Sequence, residues 1–174
     1  MTPEQALCLR DSAIRALESE QPVTRRVIEA IPADRADYKP DPVGRTAIDL
    51  AWHIVAAEHR FIDAVLKGAF DFTGGGRPAD VRTPAAVAAW HSERLHDDVT
   101  RLAAATPEQL LKHIDFRGLF NLRAVLYLQS AMHHSIHHRG QLSMYLRPMG
   151  AQVPSIYGES YDTARAKAAA AAGA

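Results

Sequence analysis

The sequence holds a single cysteine, Cys8, so no intrachain disulfide can staple it and a disulfide-framed secreted domain is excluded. Charge of one sign is not in excess either: Lys and Arg number 20, Asp and Glu number 20, and the formal net charge is +0. Such a balance lacks the electrostatic footprint that supplies most non-specific affinity for nucleic acid or an anionic membrane. The Arg25-Arg26 pair is too short to restore it. No apolar run reaches the ~20 residues that a bilayer crossing needs. The start, MTPEQALCLRD, has acidic residues but neither a basic n-region nor a long apolar h-region. These absences predict a cytoplasmic protein that binds neither nucleic acid nor membrane. Strongly alternating apolar and polar runs are also missing, as is any repeat at solenoid spacing, which argues against a sheet-based domain or an array.

What is present is helix punctuation. With 174 residues, 47% of them hydrophobic, the chain can bury one core of its own. Thr2-Pro3-Glu4 combines a capping hydroxyl, a proline tolerated at the first helical position and an acid at the positive end of the dipole. It opens a first helix running towards Ile31, which Pro22 is expected to kink or split near Glu20. After PADRADYKPDPVGR, Thr46 caps a second helix from about Ala47 to Lys67, stopped by Gly68. Thr83-Pro84 opens a third helix to about Ala105, and Thr106-Pro107-Glu108 a short turn. LKHIDFRGL, between Leu111 and Leu119, reads as a short strand or an extended arm. A fourth helix is expected from about Asn121 to Arg147, closed by Pro148 and Gly150. The fold class implied is all-α: a four-helix bundle over residues 1–160, with an Ala-rich tail over 161–174 that has few groups with which to dock and whose end is expected to be mobile.

Four of the nine histidines fall within HHSIHHRGQL, in the fourth helix. Residues four apart lie about 40° apart around a helix, so His134 and His138 share one face and His133 and His137 the next. Two imidazoles at i and i+4 can reach one metal ion, but two alone make a weak site. The second helix offers a third in His53, whose face holds Asp49, Leu50, Ala57, Phe61 and Ala64, is mostly apolar and is therefore expected to point inward. His59 sits on another face, and His91 and His96 lie among Ser92, Glu93, Arg94, Asp97 and Asp98, a setting expected to be solvent. Periodicity leaves the choice between the two pairs open. Tyr127, Ala131 and Tyr145 line the first, whereas Leu126, Ser130 and Met144 line the second. Buried histidines that merely pack or donate to a carbonyl remain the competing reading.

The stretches RVIEAIPADRADYKPDP, TAIDLAWHIVAAEHRFIDAVL, HHSIHHRGQLSMYLRPMG and VPSIYG resemble the DinB/YfiT-like family of metal-dependent enzymes, from about Gln21 to Tyr161. The resemblance is specific, because one histidine of the second helix is followed much later by H-x3-H running into Arg-Gly-Gln. It implies a four-helix bundle in which His53, His134 and His138 hold a divalent ion, commonly zinc or nickel. It implies no DNA binding. Some similar proteins are transferases or isomerases that use a low-molecular-weight thiol cosubstrate, and many pair as homodimers, as the apolar content of the later helices also suggests.

Three neutral imidazoles would leave such an ion an open position, the pattern of a catalytic rather than a closed structural site. The expected function is a metal-dependent hydrolase or thiol-dependent transferase acting on a small molecule. The alternative is a non-catalytic bundle that a metal staples or that binds a ligand without turning it over. Gln141, one turn beyond His138, and Tyr145, on the same face, are candidates to orient water or a ligand. Arg139 points about 100° away and is expected to anchor a loop or partner helix. Gly140 is expected to mark close helix packing, and Trp52 and Trp90 to pack as core or interface aromatics.

Overall fold

The computed structural model describes residues 1–172. It contains six helices and one two-stranded sheet in the order α1 (Pro3–Glu29), α2 (Ala47–Lys67), α3 (Pro84–Ala103), α4 (Pro107–Leu111), β1 (His113–Phe116), β2 (Phe120–Arg123), α5 (Leu126–Leu146) and α6 (Tyr161–Ala172). The four long helices close a ring: α1 packs on α3 and α5, and α2 packs on the same two from the other side. The four principal helices implied by the sequence are thus joined by two more among the described residues, the short turn at Thr106 forming α4 and the tail forming α6.

Each start follows from its cap. Thr2 accepts from the Gln5 backbone while Gln5 reaches back to the Thr2 backbone, and Thr106 and Gln109 repeat this reciprocal pair before α4. Thr46 and Thr83 each accept from the third residue onward. The next free donors of α2 are met by the preceding loop, because Ala47 and Ile48 donate to the carbonyls of Tyr38 and Ala36, both at 2.9 Å. Gly68 ends α2 at φ 74, a left-handed position that glycine adopts without a steric cost. Pro22 does not split α1, which runs unbroken through it. Leu17 on one side of the proline, and Val23, Val27 and Ile28 on the other, are all buried against the bundle, so packing holds both halves in one helix despite the lost donor.

The fourth long helix begins at Leu126, later than expected, because Phe120–Arg123 pairs antiparallel with His113–Phe116. The strand alternative for LKHIDFRGL is therefore the one adopted. Leu119 donates to Phe116 across a turn whose two central residues, Arg117 and Gly118, have φ of 55 and 70, the positive values of a type I′ turn. Tyr127 locks the hairpin to α5: its hydroxyl donates to the Ile114 carbonyl at 2.8 Å and accepts from Leu122 N.

The apolar core has two halves. One gathers Ile48, Leu50, Ile54 and Val55 of α2 with Leu142 and Leu146 of α5, and the other gathers Ile62 and Val65 of α2 with Leu110, Ile114 and Leu128. Between them the bundle buries a polar layer containing Glu58, His91, Ser135 and Arg139.

The tail is helical as α6, has no buried residue among the described ones and is held at its start by a few groups. Asp162 accepts from Val153 N at 2.7 Å and from Arg147 Nε at 3.2 Å, while Thr163 and Ser160 share hydroxyl hydrogen bonds. The end expected to be mobile, residues 173–174, lies outside the described residues.

Candidate metal centre

His53 stands on the second turn of α2 and His134 and His138 on consecutive turns of α5, where these two helices pack against each other. Their rings form a nearly equilateral triangle, with centroids 4.7 Å apart for His53 and His134, 4.7 Å for His53 and His138, and 4.4 Å for His134 and His138. One donor nitrogen from each lies within 4.8 Å of the others. The pair left open by periodicity is thereby separated: His133 and His137 are exposed, and only His134 and His138 face His53.

The Nε2 atoms of His53 and His134 are 3.1 Å apart. A tetrahedral ion with nitrogen ligands at 2.0–2.1 Å holds them about 3.3 Å apart, so this edge already has the length of a coordination edge. Gln141 Oε1 accepts from His138 Nδ1 at 2.9 Å, which fixes the proton on Nδ1 and leaves Nε2 with its lone pair free. Gln141 thus positions an imidazole. His134 Nδ1 is buried and has no hydrogen-bond partner among the described residues.

Electrostatics favour the neutral, ligating form. His53 is lowered to about 4, first by burial and then by the charges of Arg45, His138 and Arg60. His134 is lowered to about 4 by burial, then by His138, His53 and His137, with Glu58 acting in the opposite sense. A cluster of this kind can hold a metal ion: its donors converge, burial keeps His53 and His134 neutral at pH 7, and imidazole nitrogens are the borderline-soft ligands suited to zinc or nickel.

Beneath this triangle lies the polar layer. Glu58 is buried, and its carboxylate accepts from His91 Nε2 at 2.7 Å and Ser135 Oγ at 2.6 Å. Burial alone would raise its pKa, but His91 and these hydrogen bonds hold it below the ordinary value. His91 is therefore not solvent-exposed as expected but 3% exposed. Its sequence neighbours are polar, yet Val87, Ala88 and Leu95 on its own helical face are buried, and that face decides. Glu58 was legible by the same logic, standing in line with Ile54 and Ile62. His59 donates through Nδ1 to buried Asp98 at 2.6 Å, and His96 is exposed.

The remaining expected residues are placed as follows. Tyr145 is buried edge-on against Tyr38, and burial, followed by the Asp41 charge, raises its hydroxyl pKa above the ordinary value. Arg139 is buried and joins α5 to α1 and the following loop, donating to Glu20 Oε2 at 2.5 Å, to Thr24 Oγ1 at 3.0 Å and to the Tyr157 hydroxyl. Gly140 is exposed with nothing near its missing side chain, so it does not mark close packing. Trp52 and Trp90 pack edge to face at 4.6 Å, with Trp52 Nε1 donating to the Gly75 carbonyl at 3.0 Å. Two cavities flank His53, one of about 560 Å³ and one of about 340 Å³, and the smaller also reaches His134. Arg45 and Arg60 line both, and sequence reading missed them because one belongs to a loop and the other to the flank of α2.

The structure is thus a mostly helical ring with a small hairpin, holding three imidazoles between α2 and α5. The chain belongs to the DinB family, whose model matches residues 9–169 and so extends into α6. It is 31% identical over 148 residues to the uncharacterized protein YjoA of Bacillus subtilis (strain 168), a match covering 83% of this chain and 93% of that protein. The crystal structure of that DinB-like protein superposes with a TM-score of 0.70 at 28% identity, covering 85% of this chain and 99% of the other. A DinB-like protein from Bacillus cereus ATCC 10987 shares the fold at a TM-score of 0.70 and 21% identity, over 84% of this chain and 97% of that one. No helix among the described residues is long and apolar enough to cross a membrane.

Proposed function

We propose that this protein is a divalent-metal-dependent enzyme, a hydrolase or a thiol-dependent transferase acting on a small molecule, with His53, His134 and His138 as the ligands of zinc or nickel. The carrying observation is the ligand set: three imidazoles converge with no carboxylate or thiolate among them, and two of the three, His53 and His134, line open cavities. A closed structural site would have four protein ligands. An ion held there supplies Lewis-acid polarisation of a substrate carbonyl or activation of a water or thiol nucleophile. The chain's own part is to keep His53 and His134 neutral by burial, to fix the His138 tautomer through Gln141, and to offer the cavities as the substrate's approach. We further propose that the functional unit is a homodimer.

The test is metal analysis followed by activity. Purified protein reloaded with zinc or nickel is assayed with p-nitrophenyl esters, and separately for conjugation of 1-chloro-2,4-dinitrobenzene with low-molecular-weight thiols. Turnover that needs the ion and is lost in His134→Ala supports the enzyme. Tight stoichiometric metal whose removal unfolds the bundle favours the metal-stapled alternative.

A further inference from the structure

The cavity of about 340 Å³ beside His53 and His134 combines two chemistries in one lining. Phe61, Phe70 and Phe72 supply an aromatic wall, with Phe61 and Phe70 edge to face at 5.5 Å and Phe70 and Phe72 stacked at 5.5 Å. Arg45, Arg60 and Arg117 supply three guanidinium groups, and no carboxylate lines the cavity. None of these arginines makes an ion pair among the described residues, whereas Arg10, Arg77, Arg101, Arg139 and Arg147 do. The Arg60 charge reaches the Asp71 carboxylate outside the cavity, but three cations in one lining that holds no carboxylate repel one another there and call for an anion.

The hairpin turn puts one of them there. Arg117 is the sole non-glycine residue with positive φ among the described residues, at φ 55 in the hairpin turn, and its guanidinium lies over the Phe72 ring at 4.0 Å. Arg60 lines both this cavity and the larger one, and its Nη2 passes Gly75 in the wall of the larger, where an added Cβ would stand 2.1 Å away and where the Trp52 indole holds the glycine's carbonyl at 3.0 Å. The charges of Arg45 and Arg60 reach the metal triangle, since both act on His53.

We infer that this cavity binds an organic anion with an aromatic or other flat apolar body, its carboxylate held by Arg45, Arg60 and Arg117 and its body against Phe61, Phe70 and Phe72, which makes such acids the substrate class of the neighbouring centre. The substrate assignment rests on the metal-enzyme reading above; the binding site itself does not. A volume of about 340 Å³ admits a one- or two-ring acid and excludes a macromolecule.

Calorimetric titration of zinc-loaded and metal-free protein with 2-naphthoate, 2-naphthylmethanol and acetate tests this. 2-Naphthoate should bind at least about tenfold more tightly than either the neutral alcohol or the body-less acetate, with or without zinc, because every 1.4 kcal/mol of charge or ring contact is tenfold. Arg60→Gln and Arg117→Gln, whose folding is checked by circular dichroism, should each weaken it three- to tenfold, and Phe72→Ala should do the same. Equal affinity for alcohol and acid, or arginine variants that bind 2-naphthoate like the parent, would overturn the inference. Binding confined to zinc-loaded protein and indifferent to the arginines would also overturn it while leaving the metal reading intact. Arginine-dependent binding by a chain that takes up no zinc would do the reverse.

Discussion

His53 Nε2 and His134 Nε2 face each other at 3.1 Å across the contact between α2 and α5. At that separation either one neutral imidazole donates its single ring proton to the other or a cation lies between them, and the burial that pushes both towards a pKa of about 4 keeps either ring from becoming a cation that would repel the ion. Purified protein should therefore carry about one divalent ion per chain. Alanine at His53, His134 or His138 should abolish it, because two imidazoles bind weakly. Alanine at exposed His96, His133 or His137 should not. Elemental analysis after dialysis against a zinc buffer decides, and stoichiometric zinc in His134→Ala would refute the ligand set.

Metal-free protein should lose stability as the pH falls from about 6.5 to about 4. In the unfolded chain His53 and His134 take up protons near 6.5, whereas in the fold they resist until about 4. Between those values the unfolded state binds more protons, so stability rises with pH across the window and is lost as acid is added. Glu58 acts in the same direction at the acid end, since its folded pKa lies below its ordinary value. Melting temperatures of chelated protein at pH 7.5, 6 and 5 should decline in that order, and a flat series would contradict the burial of the two imidazoles.

The layer beneath the site should be energetically coupled. His91 and Glu58 are buried together with a 2.7 Å hydrogen bond, so removing either leaves the other's polar group unpaired in a low-dielectric core. Glu58→Ala and His91→Ala should each cost about 3–5 kcal/mol in urea denaturation, the range for breaking a buried pair. The double variant should cost clearly less than the sum. Strict additivity would mean that the two side chains do not depend on each other.

The helices that carry the metal triangle were legible because caps and periodicity act locally. Thr46 and Gly68 bound α2 as the sequence implies, and H-x3-H puts His134 and His138 on one face whatever the tertiary context. The hairpin was only half legible: two four-residue strands carry little alternation, and their pairing is held by a hydroxyl from Tyr127, outside both strands. His91 misled because its neighbours in sequence are polar while its neighbours around the helix are not. The guanidinium groups at the cavity come from a loop, a helix flank and a hairpin turn, and no local pattern brings such separate segments together.

Whether the ion serves chemistry or architecture is decided by what remains when it is gone. The two halves of the core are built from residues such as Leu50, Ile54, Ile62, Leu128 and Leu142, all within 1% of full burial, and none of the three imidazoles belongs to either half. Each such side chain contributes about 1.5–3 kcal/mol on burial, so the ring of helices has its own reason to fold. Chelated protein at pH 7.5 should keep its helical circular dichroism and melt cooperatively, only at a lower temperature than reloaded protein, because the ion binds the fold and much less the open chain. The gap between the two melts should shrink towards pH 5, where protons compete with the ion for the same nitrogens. A cooperative metal-free melt with a pH-dependent gap fits an enzyme whose ion is replaceable; a metal-free chain with no helical signal at pH 7.5 would make the ion a staple and remove the reason to look for a substrate.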